Sequence, residues 1–211
     1  MTSPGDAAAP TAAGHWDEVY ATRDASQLSW YQREPVVSLR LIASRTTPAS
    51  AVVDVGAGES TLVDALAARG YRDLTAVDLS RVALDRVAAR AGSTPITLVE
   101  ADVLTWRPAR EFDLWHDRAL FHFLVDPDDQ RRYVEVAAGA LGPGGAVVLA
   151  TFALDGPSTC SGLAVARHDA GDLAAIFAPA FALEANEREV HHTPAGGVQS
   201  FTWVVLRRGR S

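Results

Sequence analysis

The chain has 211 residues, 48% of them hydrophobic, and a formal net charge of −7 at neutral pH. That length suits one sizeable α/β domain with a folded core, and the acidic balance argues against a general affinity for nucleic acid, which needs a basic face. Cys160 is the single cysteine, so no intramolecular disulfide forms, and no apolar run reaches the ~20 residues of a membrane span; a cytoplasmic protein with neither membrane nor nucleic-acid partners is expected.

Met1 to Pro10 lacks the basic and apolar regions of a signal peptide, and its Ala/Pro/Gly/Ser/Thr composition predicts a mobile tail over residues 1–14. Residues 15–34 carry Trp16, Tyr20, Trp30 and Tyr31 outside any strand pattern, ahead of a single domain over residues 35–211. Pro35 opens a helix whose Val36, Leu39 and Ile42 share one face. The first strand is Ala51 to Val55. A helix with Leu62, Val63, Leu66 and Ala67 inward follows and stops at Gly70. The second strand is Leu74 to Leu79, and Ser80 caps a helix with Leu84, Val87 and Ala88 inward that ends at Gly92. The third and fourth strands are Ile96 to Glu100 and Phe112 to His116. Asp126-Pro127 opens a helix carrying Tyr133, Val134, Ala137 and Leu141. Gly142-Pro143-Gly144-Gly145 is read as a turn into a fifth strand, Ala146 to Thr151. Asp169 caps a short helix with Leu173, Ile176 and Phe177. The last two strands, Phe181 to Val190 and Gln199 to Leu206, are joined by too few residues for a crossover and should be antiparallel. This alternation predicts a mostly parallel sheet with helices on both faces.

The run Val52-Val53-Asp54-Val55-Gly56-Ala57-Gly58-Glu59-Ser60 is the strongest local signal. A β-branched strand ends in an acid and then breaks into two glycines, which let the backbone turn sharply and approach a ligand. Open α/β sheets place their ligands at such strand ends. A dinucleotide fingerprint would carry a third glycine where Thr61 stands, with a ribose-binding acid about 20 residues on, where Asp78 sits. Nicotinamide and other adenosine cofactors both fit these residues. Asp54 suits a cationic or amino-bearing cofactor better than a pyrophosphate, and Asp102 could accept from an adenine amino group.

Taken jointly, these residues resemble the class I S-adenosylmethionine-dependent methyltransferases. Val52 to Ser60 is similar to the family's first motif, with Ser60 where many members have a third glycine. Asp78 resembles the ribose-binding acid, Asp102 the acid beside the adenine, and Leu141 to Gly145 the loop entering the fifth strand. The resemblance spans roughly Pro35 to Arg208. It implies an α/β, Rossmann-like three-layer sandwich whose seven-stranded, mostly parallel sheet has its last strand antiparallel. It also implies S-adenosylmethionine as cofactor, faced by Asp54, Gly56, Ala57, Gly58, Asp78, Leu79, Asp102, Val103 and His116.

Methyl transfer needs an aligned acceptor and, where that acceptor carries a proton, its removal. Asp117 and His122 at the end of the fourth strand are the expected acceptor-facing pair, with His122 as base. Trp30 and Tyr31 are expected to cover the site as a lid, and the loop Ala153 to Arg167 to help form the acceptor pocket. His191, His192 and Cys160 lack metal-ligand spacing, and no metal is expected. A small-molecule acceptor is favoured. Asp117 to Phe121 is loosely similar to a segment of some protein lysine methyltransferases, which makes a lysine side chain the alternative. A nicotinamide-dependent oxidoreductase and a non-catalytic cofactor-binding module are the readings from other classes.

Overall fold

The computed structural model describes residues 11–209, so the expected tail over residues 1–10 lies outside the described residues. From Thr11 the expectation of a tail fails. The Thr11 hydroxyl accepts from Gly14 N and caps a helix, α1 (Ala12–Thr22). A 3₁₀ turn (Ala25–Gln27) leads to α2 (Val36–Ala43), where Ser38, Leu39, Leu41 and Ile42 face inward. Val36 was expected on that face but is 59% exposed, because it stands at the helix entrance beside Pro35.

The alternating core then runs β1 (Ala51–Val55), α3 (Leu62–Ala68), β2 (Asp73–Asp78), α4 (Arg81–Ala91) and β3 (Ile96–Glu100). Ser80 Oγ accepts from Ala83 N and caps α4, and Gly92 ends that helix with a positive φ. The buried face of α4 is Ala83, Leu84 and Val87, while Ala88 faces solvent, one position off the expected stripe. β4 (Phe112–Arg118) runs two residues past the expected strand, and α5 (Pro127–Ala140) follows behind its Asp126 cap.

β5 (Leu141–Phe152) absorbs the Gly142–Gly145 stretch, which was read as a turn. Leu141 pairs with Phe112 and Ala146 with Leu114, so the glycines and Pro143 form a bulge that a residue without an N–H tolerates. A ribbon of β6 (Thr159–Cys160) and β7 (Leu163–Ala164) gives the loop after β5 its own structure. α6 (Ala170–Phe177), β8 (Phe181–His192) and β9 (Val198–Arg208) complete the chain.

The seven-stranded sheet has the order β3-β2-β1-β4-β5-β9-β8, and β9 runs antiparallel to both neighbours. The expected fold class is therefore observed. β1 and β5 are apolar because each is covered on both faces. Tyr133, Ala137, Leu173 and Phe177 from α5 and α6 pack on one face of the sheet. Leu39, Ile42, Leu62 and Leu66 from α2 and α3 pack on the other. The central strands thus present their carboxyl ends to a single mouth between the helix layers.

Candidate active site

A cavity of about 330 Å³ opens at the carboxyl ends of β1, β2 and β4, within the size range of small-molecule sites. Its floor is the turn after β1. Gly56 and Gly58 have φ of +61° and +51°, and side chains fill the space a Cβ would need. A Cβ on Gly56 would lie 2.5 Å from Leu120 Cδ1, and one on Gly58 would lie 2.3 Å from Tyr20 Oη. Ala57 N donates to Val77 O and pins the turn to β2.

Asp78 holds the same turn from the next strand. Gly58 N donates to its Oδ2 at 2.7 Å and Ser80 N to its Oδ1 at 2.8 Å. Burial pushes this carboxyl up to about 6, against the pull of the two amides. Asp54 pairs in register with His116 across β1 and β4, and His116 Nδ1 donates to Asp54 Oδ1 at 2.7 Å. His116 Nε2 lies 3.0 Å from Ser38 Oγ, so all of its polar atoms are engaged. Asp54 Oδ2 is buried and has no hydrogen-bond partner in the protein. Leu79, Asp102 and Val103 line the side of the cavity toward β3, where Asp102 is exposed and its Oδ1 accepts from Leu104 N.

The far wall is aromatic. Trp16 makes an edge contact with Trp30 at 6.0 Å and with Phe123 at 5.1 Å, and Tyr20 meets Trp30 at 6.5 Å. Trp30, Tyr31, Cys160 and Leu163 line the same cavity. Burial, followed by the charges of Asp78 and Glu59, holds the Tyr20 hydroxyl well above its ordinary value. Burial likewise pushes the Cys160 thiol up to about 11, so it stays protonated and is no nucleophile.

Asp117 and His122, expected to face the acceptor, do not line the cavity. Both are fully buried behind it. Asp117 accepts from Leu120 N at 2.9 Å, from Phe121 N at 3.1 Å and from the Tyr133 hydroxyl at 2.6 Å. Its carboxylate is committed to holding the turn after β4 and α5 in place. The His122 ring lies between Phe123 and Phe152 with neither nitrogen hydrogen-bonded. Burial and the nearby Arg118 charge push it down to about 3, which leaves a neutral packing group rather than a base. The strand alternation that would have warned of this was hidden, because β4 ends two residues later than its pattern indicates.

Sequence reading also missed Tyr20, Ser38, Leu120 and Arg118 as parts of the site. Trp16 and Tyr20 do stand four apart, the spacing of one helix face, but their helix was obscured by the tail composition before it. Among the described residues no cluster of three or more His, Cys, Asp or Glu could hold a metal ion.

A doubly covered sheet with one reversed strand, a two-glycine turn after β1 and acids at the tips of β1, β2 and β3 are the features expected from the resemblance to class I S-adenosylmethionine-dependent methyltransferases. The sequence profile of the family described as "Methyltransferase domain" matches residues 52–145. An uncharacterized methyltransferase of Mycobacterium tuberculosis (strain H37Rv) is 34% identical over 113 residues, which cover 53% of this chain and 54% of that protein. A Mycobacterium bovis counterpart matches to the same extent. The chain thus spans about half the length of the curated relatives it matches.

Among solved structures, one concerning conversion of a disulfide bond into a thioacetal group during echinomycin biosynthesis superposes with a TM-score of 0.77 at 19% identity, covering 95% of this chain and 93% of that one. The N-methyltransferase NodS from Bradyrhizobium japonicum WM9, in complex with S-adenosyl-L-homocysteine, gives 0.71 at 19% identity and covers 92% and 98%. A Burkholderia thailandensis 1,6-didemethyltoxoflavin-N1-methyltransferase gives 0.66 at 22%, covering 91% and 81%. These likenesses establish the fold that the sequence resemblance implied.

Proposed function

We propose that this chain transfers a methyl group from S-adenosylmethionine to a small-molecule acceptor. The observation that carries this reading is Asp54 Oδ2, a buried carboxylate oxygen without a partner at the tip of β1. A buried, unpaired acceptor of this kind is costly unless a donor reaches it, and the ammonium of a methionine-type cofactor is such a donor. His116 and, through it, Ser38 hold Asp54 in position. Asp78, held over the glycine turn by two amides, suits ribose hydroxyls, while Leu79, Asp102 and Val103 suit an adenine ring. The methyltransferase-domain match and the S-adenosyl-L-homocysteine bound by NodS support the same cofactor.

When bound, the cofactor supplies a methyl carbon already activated by its sulfonium. The protein's part is to align the acceptor's lone pair with that carbon and to keep water away. At the acceptor end Trp16, Trp30, Phe123 and Leu163 offer no base, so a proton carried by the acceptor would pass to solvent. The small-molecule assignment rests on the enclosure of that end by Trp16, Trp30, Phe123 and the β6–β7 ribbon. The Burkholderia relative, which has a small molecule bound, supports it.

Methyl-labelled S-adenosylmethionine incubated with the protein and fractionated host extract should label the small-molecule fraction, whereas label confined to protein would overturn the acceptor class. In parallel, Asp54→Asn should weaken S-adenosylhomocysteine binding at least ~10-fold by calorimetry, the scale of one lost charge-assisted hydrogen bond. NAD should show no binding.

A further inference from the structure

Arg118 is the residue of the cavity wall whose chemistry methyl transfer leaves unused. It ends β4, and Ala119 after it takes a φ of +74°, a left-handed conformation that non-glycine residues seldom adopt. The guanidinium is held on one side by Nη1 donating to Trp30 O at 2.9 Å. Beneath it lies the Phe201 ring, 4.5 Å from the ring centroid. Nε and Nη2 are buried and have no hydrogen-bond partner.

The acid facing this cation is Glu189, whose Oε2 stands 3.9 Å from Nε, beyond hydrogen-bond range. Glu189 is also committed elsewhere, since Gln32 Nε2 donates to its Oε1 and Trp203 Nε1 to its Oε2, both at 2.8 Å. The other titratable side chains facing Arg118 are His122 and His191, which burial and the Arg118 charge itself both push toward the neutral form. A cation this deep, with unused donors on the planar edge that matches a carboxylate, is expensive unless an anion completes it. Trp30, which accepts from Nη1 through its carbonyl, belongs to the aromatic wall of the same cavity.

We propose that the methyl acceptor is an aromatic or apolar small molecule bearing a carboxylate, and that Arg118 binds this carboxylate while Trp16, Trp30 and Phe123 hold the apolar body. The proposal rests on the methyltransferase reading for the word acceptor, but the carboxylate preference itself is measurable by binding alone. Arg118 is chosen over a lysine-like point charge by geometry, because a planar fork over Phe201 fixes the direction of the bound acid.

The test uses the full chain and three matched acid–amide pairs: benzoate with benzamide, phenylacetate with phenylacetamide, and indole-3-acetate with indole-3-acetamide. S-adenosylhomocysteine is titrated first, and each pair is then titrated with and without it. At least one acid should bind ten-fold more tightly than its amide, and Arg118→Met should erase that preference while S-adenosylhomocysteine affinity stays within two-fold. Equal binding within every pair, no binding by any pair, or a preference that survives in Arg118→Met overturns the proposal. Should Arg118→Met fail to fold, Glu189→Gln carries the test by removing the competing acid. Acid binding should then tighten at least three-fold with amide binding unmoved, and unchanged or weaker acid binding overturns the proposal. Failure of S-adenosylhomocysteine to bind strikes the methyltransferase reading alone, because the pairs are also read on the unloaded protein. Its binding without any acid preference strikes the carboxylate and leaves methyl transfer standing.

Discussion

Asp117 receives three donors in a fully buried site: Tyr133 Oη, itself accepting from Trp115 Nε1, and the amides of Leu120 and Phe121. Loss of hydration pushes its carboxyl up to about 7, even though these hydrogen bonds pull the other way. Asparagine there would turn an NH₂ group toward one of those donors. Asp117→Asn should therefore cost about 1–3 kcal/mol of stability in urea unfolding, the scale of an unsatisfied buried donor. Its S-adenosylhomocysteine affinity should stay within two-fold of wild type. The acids at the strand tips were legible because spacing alone puts Asp54, Asp78 and Asp102 at one end of a parallel sheet. Asp117 and His122 were misread for a physical reason. Proximity in sequence to a strand end places a residue near the site but does not fix which side of the backbone it occupies, and here both turn away into the core.

The first helix is the element that converts an open cleft into an enclosed one. α1 is tied to α4 through Asp17, whose Oδ1 accepts from Ser80 Oγ at 2.6 Å and from Val82 N at 3.3 Å. This tether sets Trp16 and Tyr20 over the glycine turn. A chain shortened to begin at Ser26 keeps the whole sheet but loses both rings, and its S-adenosylhomocysteine affinity should fall at least ~10-fold. Unchanged affinity would show α1 to be an anchor rather than a wall. The helix escaped sequence reading because its apolar stripe is only Trp16, Val19 and Tyr20 and follows a tail-like composition; it is stabilised by Thr11 capping and by tertiary contact. α3, α4 and α5, with apolar faces and glycine or Asp-Pro boundaries, were legible almost to the residue.

Across the whole molecule, buried titratable groups pull stability in opposite directions with pH. For His122 the folded value, about 3, lies below the unfolded 6.5, so the unfolded chain binds the extra proton and stability is lost as pH falls below about 6.5. For Asp78 and Asp117 the folded values are raised to about 6 and about 7, so their contribution is lost as pH rises from about 4 through those values. His122→Phe, which keeps a ring between Phe123 and Phe152, removes the first effect alone. Relative to wild type the variant should gain about 2 kcal/mol on going from pH 7.5 to pH 5, read as a change in the Tm difference. The overall topology was legible because hydrophobic period and connection length determine it. The bulge at Gly142–Gly145 was not, because strand pairing across a proline is decided by the partner strand.

The cover of the cavity is fastened to the other end of the chain. His191 Nε2 donates to Ser29 O at 2.9 Å, Gln199 Nε2 to Ser29 Oγ at 3.3 Å and Gln32 Nε2 to Glu189 Oε1, joining residues 157 to 170 positions apart. On the ribosome, the glycine turn and its acids emerge long before β8 and β9 exist to fasten that cover. A nascent chain therefore displays the turn and its acids as an open half-site, and firm capture of a ligand waits until synthesis has passed Gln199.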